Sequence, residues 1–80
     1  MKLPRNVSGA DLVKALGKFG YVVTRRKSSH IRLTTSRNGQ HHITVPDHDL
    51  VKIGTLADIL KDVGDHFGLQ KDELLERLFG

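Results

Sequence analysis

Apolar residues recur at spacings of three and four near the start of the chain, the pattern of a helix with one buried face. The stripe consists of Leu12, Ala15, Leu16 and Phe19. Ser8 and Asp11 are placed to form a capping box at its start, because a serine hydroxyl accepts from free N–H groups of the first turn. Gly20 suits the left-handed residue that ends a helix. The pattern predicts a first helix within residues 8–20, after a short arm over residues 1–7.

Two further stripes at helical spacing lie in the second half of the chain. The first consists of Leu56, Ile59, Leu60 and Val63. Thr55, with Asp58 three residues later, has the pattern of an N-cap, and Gly64 is the expected stop. A third helix is predicted over residues 71–78, where a short stripe is formed by Leu74, Leu75 and Leu78. Its leucines are expected in the core, and its acidic outer face is a candidate for partner contacts.

Between the first two helices the spacing changes to alternation, which is typical of β-strands. Strands are predicted over residues 21–27, 30–36 and 41–46, and a loop over residues 47–53. The order α-β-β-β-α-α predicts an α+β fold: a three-stranded antiparallel sheet with the helices packed on its apolar face. The other face of the sheet is then left free. Residues 1–80 are expected to form one domain.

The apolar faces of the second and third strands decide the turn between them, which Gly39 marks. A two-residue turn would place Leu33 opposite Thr44 and mix the two faces. A three-residue turn over residues 37–39, with Gly39 left-handed, pairs Leu33 with Ile43 and keeps the faces separate. This register predicts a solvent-facing group of side chains made up of His30, Arg32, Thr34, His42 and Thr44.

Composition and charge narrow the classes of function. The net charge is +4, and the basic residues are concentrated in the first 49 residues, with nine lysines and arginines against three acids. A basic half favours an anionic partner such as RNA. There is no cysteine, which excludes a disulfide scaffold, a thiolate nucleophile and a cysteine-type zinc site. Without a long apolar run or a signal-like N-terminus, we expect a cytoplasmic protein with no membrane partner.

His30 is the candidate catalytic residue, because it lies among cations at the start of a predicted strand. RNA is cut without metal when its own 2′-hydroxyl attacks the adjacent phosphate, which requires a base, an acid and cations. His30 is the candidate general base. The general acid is either His42 or a lysine. The other candidate RNA-binding residues are Arg25, Arg26, Lys27, Ser28, Ser29, Arg32 and His42. The alternative is an exposed strand histidine with no role.

Other histidines have simpler interpretations. His41 is expected on the apolar side of the sheet in a structural role, and His48 either bonds within its loop or contacts substrate. A cluster with metal-ligand chemistry is formed by His41, His42, Asp47, His48 and Asp49. Its spacing matches no helix-borne zinc motif, so we expect neither a metal nor another cofactor.

Several short motifs, in order along nearly the whole chain, resemble the HicA-type mRNA interferase toxins, including the YcfA-like proteins. Ser29-His30 falls on the family's Gly-Ser-His motif, with Ser28 in place of the glycine. The remaining motifs are Lys2-Leu3-Pro4-Arg5 with Ser8-Gly9, Gly20-Tyr21 with Arg25, Val45-Pro46-Asp47-His48, and Gly54-Thr55-Leu56 with Ile59-Leu60.

The resemblance implies a fold like that of double-stranded-RNA-binding domains and a toxin that cleaves mRNA. It also implies inhibition by a HicB-type antitoxin and makes His30 the catalytic histidine. Two alternatives stay open: a noncatalytic RNA-binding module on the same fold, and a protein that only binds an antitoxin-like regulator.

Overall fold

The computed structural model describes residues 2–80, which contain three α-helices and one three-stranded sheet. The elements are α1 (Gly9–Leu16), a 3-10 turn (Gly17–Phe19), β1 (Val22–Lys27), β2 (His30–Thr35), β3 (His41–Pro46), α2 (Ile53–Phe67) and α3 (Lys71–Phe79). The sheet is antiparallel in the order β1-β2-β3, so β2 is central. The predicted α+β fold is confirmed. Within the described residues, none of the helices is long and apolar enough to cross a membrane.

The apolar stripes of the helices and the inner face of the sheet form one core. Leu33 pairs with Ile43 and Ile31 with Val45, which confirms the predicted register. Gly39 has a φ of 93°, as the turn requires. The most deeply buried side chains come from all three helices and two strands, and include Leu12, Leu16, Ile31, Leu33, Val45, Leu56, Val63, Leu74, Leu75 and Leu78. Burial of this core is the main source of stability.

The first helix has the predicted capping box. The Asp11 amide donates to the Ser8 hydroxyl at 2.9 Å, and the Ser8 amide donates to the Asp11 carboxylate at 3.1 Å. The bond that the Ser8 amide donates to the Asp11 carboxylate, and after it the Ser8 hydroxyl, lower the pKa of Asp11. After Leu16 the helix tightens into the 3-10 turn, and Gly20 ends it with a φ of 83°. The start of the helix and the place of Gly20 at its end were therefore predicted correctly. The change to a 3-10 turn after Leu16 was not predicted.

Both predicted ends of α2 are wrong. The helix begins two residues before Thr55, with Lys52 as an N-cap that makes no side-chain bond. It continues past Gly64, which is buried inside it, and ends at Gly68 with a φ of 66°. The carbonyl of Gly64 accepts from the amides of Gly68 and Leu69, and a Cβ at Gly64 would lie 3.1 Å from the Leu69 carbonyl oxygen. Gly64 therefore allows the turn into α3 to pass close to α2, and it does not end the helix.

The N-terminal segment is not a loose arm within the described residues. Val7 is buried, and its carbonyl accepts from the Val51 amide at 2.8 Å. The Gly9 amide donates to the His48 carbonyl at 2.9 Å. These two bonds fasten the start of α1 to the loop that follows β3. Position 1 of the predicted arm lies outside the described residues.

His41 has a structural role at the hairpin end of the sheet, on the helix side as expected. Burial, assisted by the charge of Asp62, raises the pKa of Tyr21 to about 12, and its hydroxyl oxygen lies 2.6 Å from Nδ1 of His41. Nε2 of the same ring lies 3.1 Å from the Asp62 carboxylate. The His41 ring also stacks on His66 at 4.4 Å. This cluster joins the residue before β1 to β3 and α2.

Candidate functional site

The face of the sheet turned away from the helices is uncovered. Cross-strand partners place their side chains on the same face, so the register identifies its members. Strand β1 pairs Arg25 with Arg32 and Lys27 with His30, and β3 pairs Thr44 with Arg32 and His42 with Thr34. We call this surface the open face; its polar members are Thr24, Arg25, Lys27, His30, Arg32, Thr34, His42 and Thr44. The predicted group of five side chains is confirmed, and β1 adds two cations to it.

A two-residue turn precedes His30, and its first residue, Ser28, has a left-handed backbone conformation. Lys27 pairs with His30, so the turn consists of Ser28 and Ser29. Ser28 has a φ of 55°, whereas Ser29 has no positive φ. A positive φ at a turn position favours glycine, because glycine has no Cβ. The structure thus gives a physical reason for the motif's glycine, and Ser28 adopts that conformation at some cost.

We expect Ser28→Gly to raise the free energy of unfolding by about 0.5 kcal/mol. The left-handed conformation costs a side-chain-bearing residue about 1–2 kcal/mol, and the extra freedom of an unfolded glycine offsets about 0.5–1 kcal/mol of the gain. Urea denaturation of the two proteins measures the difference. Ser29→Gly is the matched control and is expected to lower stability, because Ser29 gains no relief of strain. A loss of stability in Ser28→Gly would contradict the argument.

A β-bulge in β1 brings Arg25 onto the open face. Val23 pairs with Leu33 and Arg25 with Arg32, which leaves Thr24 as the extra residue. The Thr24 hydroxyl lies 3.0 Å from the Thr34 hydroxyl and 3.4 Å from the Arg32 carbonyl oxygen. A bulge changes the alternation of side chains after it. Sequence alternation alone does not reveal the bulge, so the pairing of the two arginines was not foreseen.

His30 lies exposed at the end of the open face with a cation directly across from it. Its cross-strand partners are Lys27 and Pro46. Among residues 2–80 no hydrogen bond, ion pair or ring contact engages its imidazole. Its ring nitrogens are therefore available to a bound molecule. No carboxylate orients the ring in the described structure.

The remaining basic residue of the run, Arg26, lies on the opposite face. It pairs with buried Ile31, and its Nη1 atom lies 3.7 Å from the Asp47 carboxylate. The Asp47 amide donates to the Ser29 carbonyl at 2.7 Å and ties the turn to the loop after β3. The structure therefore brings Arg25, Lys27 and Arg32 together with His30 and separates Arg26 from them.

His42 shares the open face with His30 but is too far away to act on the same phosphate. The two are related by the pairs His30–Pro46 and Thr34–His42, four residues apart along the strands, or about 13 Å. A general acid must lie within hydrogen-bond reach of the leaving oxygen. Of the two candidate acids, His42 is thus excluded by distance.

The other predicted ligand residues do not converge. In the part of the chain that the structure describes, no group of three or more histidine and acidic side chains is placed to hold a metal ion. His41 faces the helices and His42 the open face, because neighbouring residues of a strand point in opposite directions. His48 contributes its backbone carbonyl to Gly9 in the loop after β3.

Comparison with known families agrees with the geometry. A model of the HicA toxin of bacterial toxin–antitoxin systems matches residues 9–65, well over half of the chain. The chain belongs to the HicA family. The match spans α1, the whole sheet and most of α2, so the open face lies entirely within the HicA region. Membership makes this chain the toxin component of a toxin–antitoxin pair. Neither curated proteins nor solved structures gave a match in the two other comparisons.

Proposed function

We propose that this HicA-family toxin is a metal-independent endoribonuclease that cuts mRNA in the cytoplasm with His30 as the general base. The observation that carries the proposal is an exposed imidazole without an internal partner, set across from Lys27 on a free, cationic sheet face. Family membership supports a nuclease role in general terms. The open face supplies the base and the cations that such a reaction requires.

The proposed reaction begins when an imidazole nitrogen of His30 takes the proton of an RNA 2′-hydroxyl. The 2′-oxygen then forms a bond to the adjacent phosphorus, and the bond from phosphorus to the 5′-oxygen breaks. The leaving oxygen takes a proton from solvent, which reaches this uncovered face, and His30 returns its proton to solvent. The products are a 2′,3′-cyclic phosphate and a 5′-hydroxyl.

The cations have separate parts in the proposal. Lys27 lies nearest to His30 across the strands and stabilises the charge that develops on the phosphate. Arg25 and Arg32 bind phosphate oxygens farther along the strand, where guanidinium groups act in bidentate fashion. Ser28 and Ser29 shape the turn against which the RNA backbone lies. Arg26 faces away from this surface, beside the Asp47 carboxylate, so the proposal gives it no phosphate contact.

We expect cleavage of a labelled RNA to be unaffected by EDTA and to leave a 2′,3′-cyclic phosphate. The physical reason is that the nucleophile comes from the substrate and the stabilising charges come from the protein. Gel analysis with and without the chelator, followed by mass spectrometry of the fragments, measures both. An RNA with a 2′-deoxy nucleotide at the cut position is the control and is expected to resist. Cleavage of that control, or loss of cleavage in EDTA, would contradict the mechanism.

A noncatalytic RNA-binding role is the second candidate, and it rests on the free orientation of His30. In the described structure no side chain fixes the imidazole, as a carboxylate fixes the base in many hydrolases. RNA binding without any cleavage in the assay above would favour this role.

The antitoxin partner follows from the same proposal. A HicB-type antitoxin that covers the open face would stop cleavage directly, since His30 and its three cations lie on one uncovered surface. The acidic outer face of α3, with Asp72, Glu73 and Glu76, lies beyond the matched region. We assign it no part in the chemistry.

A further inference from the structure

We infer that His42, held by Thr34, forms a second subsite on the open face for a phosphate farther along the same single RNA strand, beyond the one that Arg32 meets. The inference rests on the proposed function, because it takes RNA as the molecule bound at His30. It adds a direction: the RNA strand runs along the β-strands from the Ser28–Ser29 turn toward the start of β3.

A row of hydrogen bonds orients His42. The Thr34 hydroxyl lies 2.8 Å from Nδ1 of His42 and 3.0 Å from the Thr24 hydroxyl, which also reaches the Arg32 carbonyl. Nδ1 is thus engaged within the protein. The other nitrogen, Nε2, is left for an external group, and the side chain is exposed. When Thr34 donates to Nδ1, Nε2 carries the proton and can donate to a phosphate oxygen.

Two guanidinium groups fill the interval between the two histidines. Arg32 lies two residues from His30 and two residues from Thr34 along β2, about 7 Å from each, and Arg25 is its cross-strand partner. Positive charge therefore continues along the line from His30 to His42. A phosphate backbone that follows this line meets a cation or a donor at each step.

The shape and chemistry of the face favour a single strand held by its backbone. Each strand has six residues, so the face is about 20 Å long, much shorter than the roughly 16 base pairs that a duplex-binding domain spans. Tyr21, Phe19 and Phe67 pack on the helix side, so the open face has no large aromatic ring on which bases could stack. Apart from the exposed Val22, the described side chains of this face are cations, imidazoles and hydroxyls, so we expect phosphate contacts to dominate.

The test compares His42→Ala and wild type on two substrates, a dinucleotide and an RNA of about 12 nucleotides. The dinucleotide has one phosphodiester and cannot place a phosphate at both histidines. We expect KM for the long RNA to rise about tenfold, in line with a lost hydrogen bond to a charged group, with a much smaller change on the dinucleotide. Thr34→Val, which frees the ring without removing it, is expected to show part of the same effect. Gln40→Ala, an exposed change in the hairpin loop, is the control.

A chemical probe separates phosphate binding from base stacking. We expect a neutral methylphosphonate in place of the phosphate at the His42 subsite to weaken wild-type binding and to remove the effect of His42→Ala. An abasic nucleotide at the same place is expected to leave that effect intact. Equal losses on both substrates, or sensitivity to the abasic nucleotide alone, would overturn the inference.

The inference stands or falls separately from the catalytic proposal. If no RNA is cut, fluorescence anisotropy with the long RNA gives the affinity directly. A tenfold loss in His42→Ala would then support the subsite although the enzyme proposal fails, and equal affinities would overturn the subsite. Cleavage that depends on His30 but not on His42 would support the nuclease proposal and refute the subsite.

Discussion

Replacing His30 with alanine is expected to reduce RNA cleavage by about 10²–10⁴-fold, the usual contribution of a general base. The imidazole is exposed and bonded to no other described side chain, so its removal leaves no buried group unsatisfied. We therefore expect the variant to fold as well as wild type and to retain most of its RNA affinity, since Arg25, Lys27 and Arg32 remain. Initial rates on a labelled RNA, with anisotropy for binding, measure the two effects separately.

The matched control for this prediction is His48→Ala. It removes an exposed histidine that accepts a hydrogen bond from the Gly9 amide through its backbone carbonyl, which alanine also has. Its cleavage rate is expected to stay close to that of wild type. If His30→Ala cuts RNA at the wild-type rate, His30 is not the base. If both variants lose activity together with their thermal transition, the effect is one of folding.

The fold was predictable from the sequence because its signals are local and agree with one another. The alternation of Ile31, Leu33, Ile43 and Val45 fixes the hairpin register, since a slip of one residue would expose a whole apolar face. The capping box at Ser8 is a contact between residues three positions apart. The ends of α2 were missed for the opposite reason: whether Gly64 or Gly68 ends the helix depends on how closely α3 approaches.

The candidate site was predictable only in part, because its geometry depends on pairing between strands. His30, Arg32 and His42 followed from alternation within β2 and β3. The bulge at Thr24 reverses the alternation in β1, and it decides that Arg25 joins the open face. The basic run therefore looked like one cluster in sequence, whereas Arg26 separates from it in space. The distance between His30 and His42 likewise required the register.

The second large effect is expected at Gly9, where α1 meets the chain that follows β3. A Cβ on Gly9 would lie 2.3 Å from the Pro46 carbonyl oxygen and 3.1 Å from the Cα of Asp47. Both are backbone atoms, so no flexible side chain can yield. We expect Gly9→Ala to lower the free energy of unfolding by about 2 kcal/mol, within the range for overpacking, although alanine favours helices. For a domain of this size the thermal midpoint falls by roughly 10 °C.

Gly17→Ala is the control that separates this clash from a general effect of glycine replacement. Gly17 has helical backbone angles, with φ −56° and ψ −27°, and a Cβ there meets no atom within 4 Å. Alanine at such a position is expected to raise stability by about 0.5 kcal/mol, chiefly through the unfolded chain. Thermal denaturation by circular dichroism compares both variants with wild type. Equal stability of Gly9→Ala and wild type would refute the packing argument.

The same substitution links the fold to the site. Pro46 is the cross-strand partner of His30, and the Asp47 amide holds the Ser29 carbonyl, so a shift of this segment reaches the turn before His30. We therefore expect Gly9→Ala to cut RNA more slowly even at temperatures where it is fully folded, whereas Gly17→Ala keeps the wild-type rate. Loss of stability with an unchanged rate per folded molecule would show that His30 is positioned independently of the loop after β3.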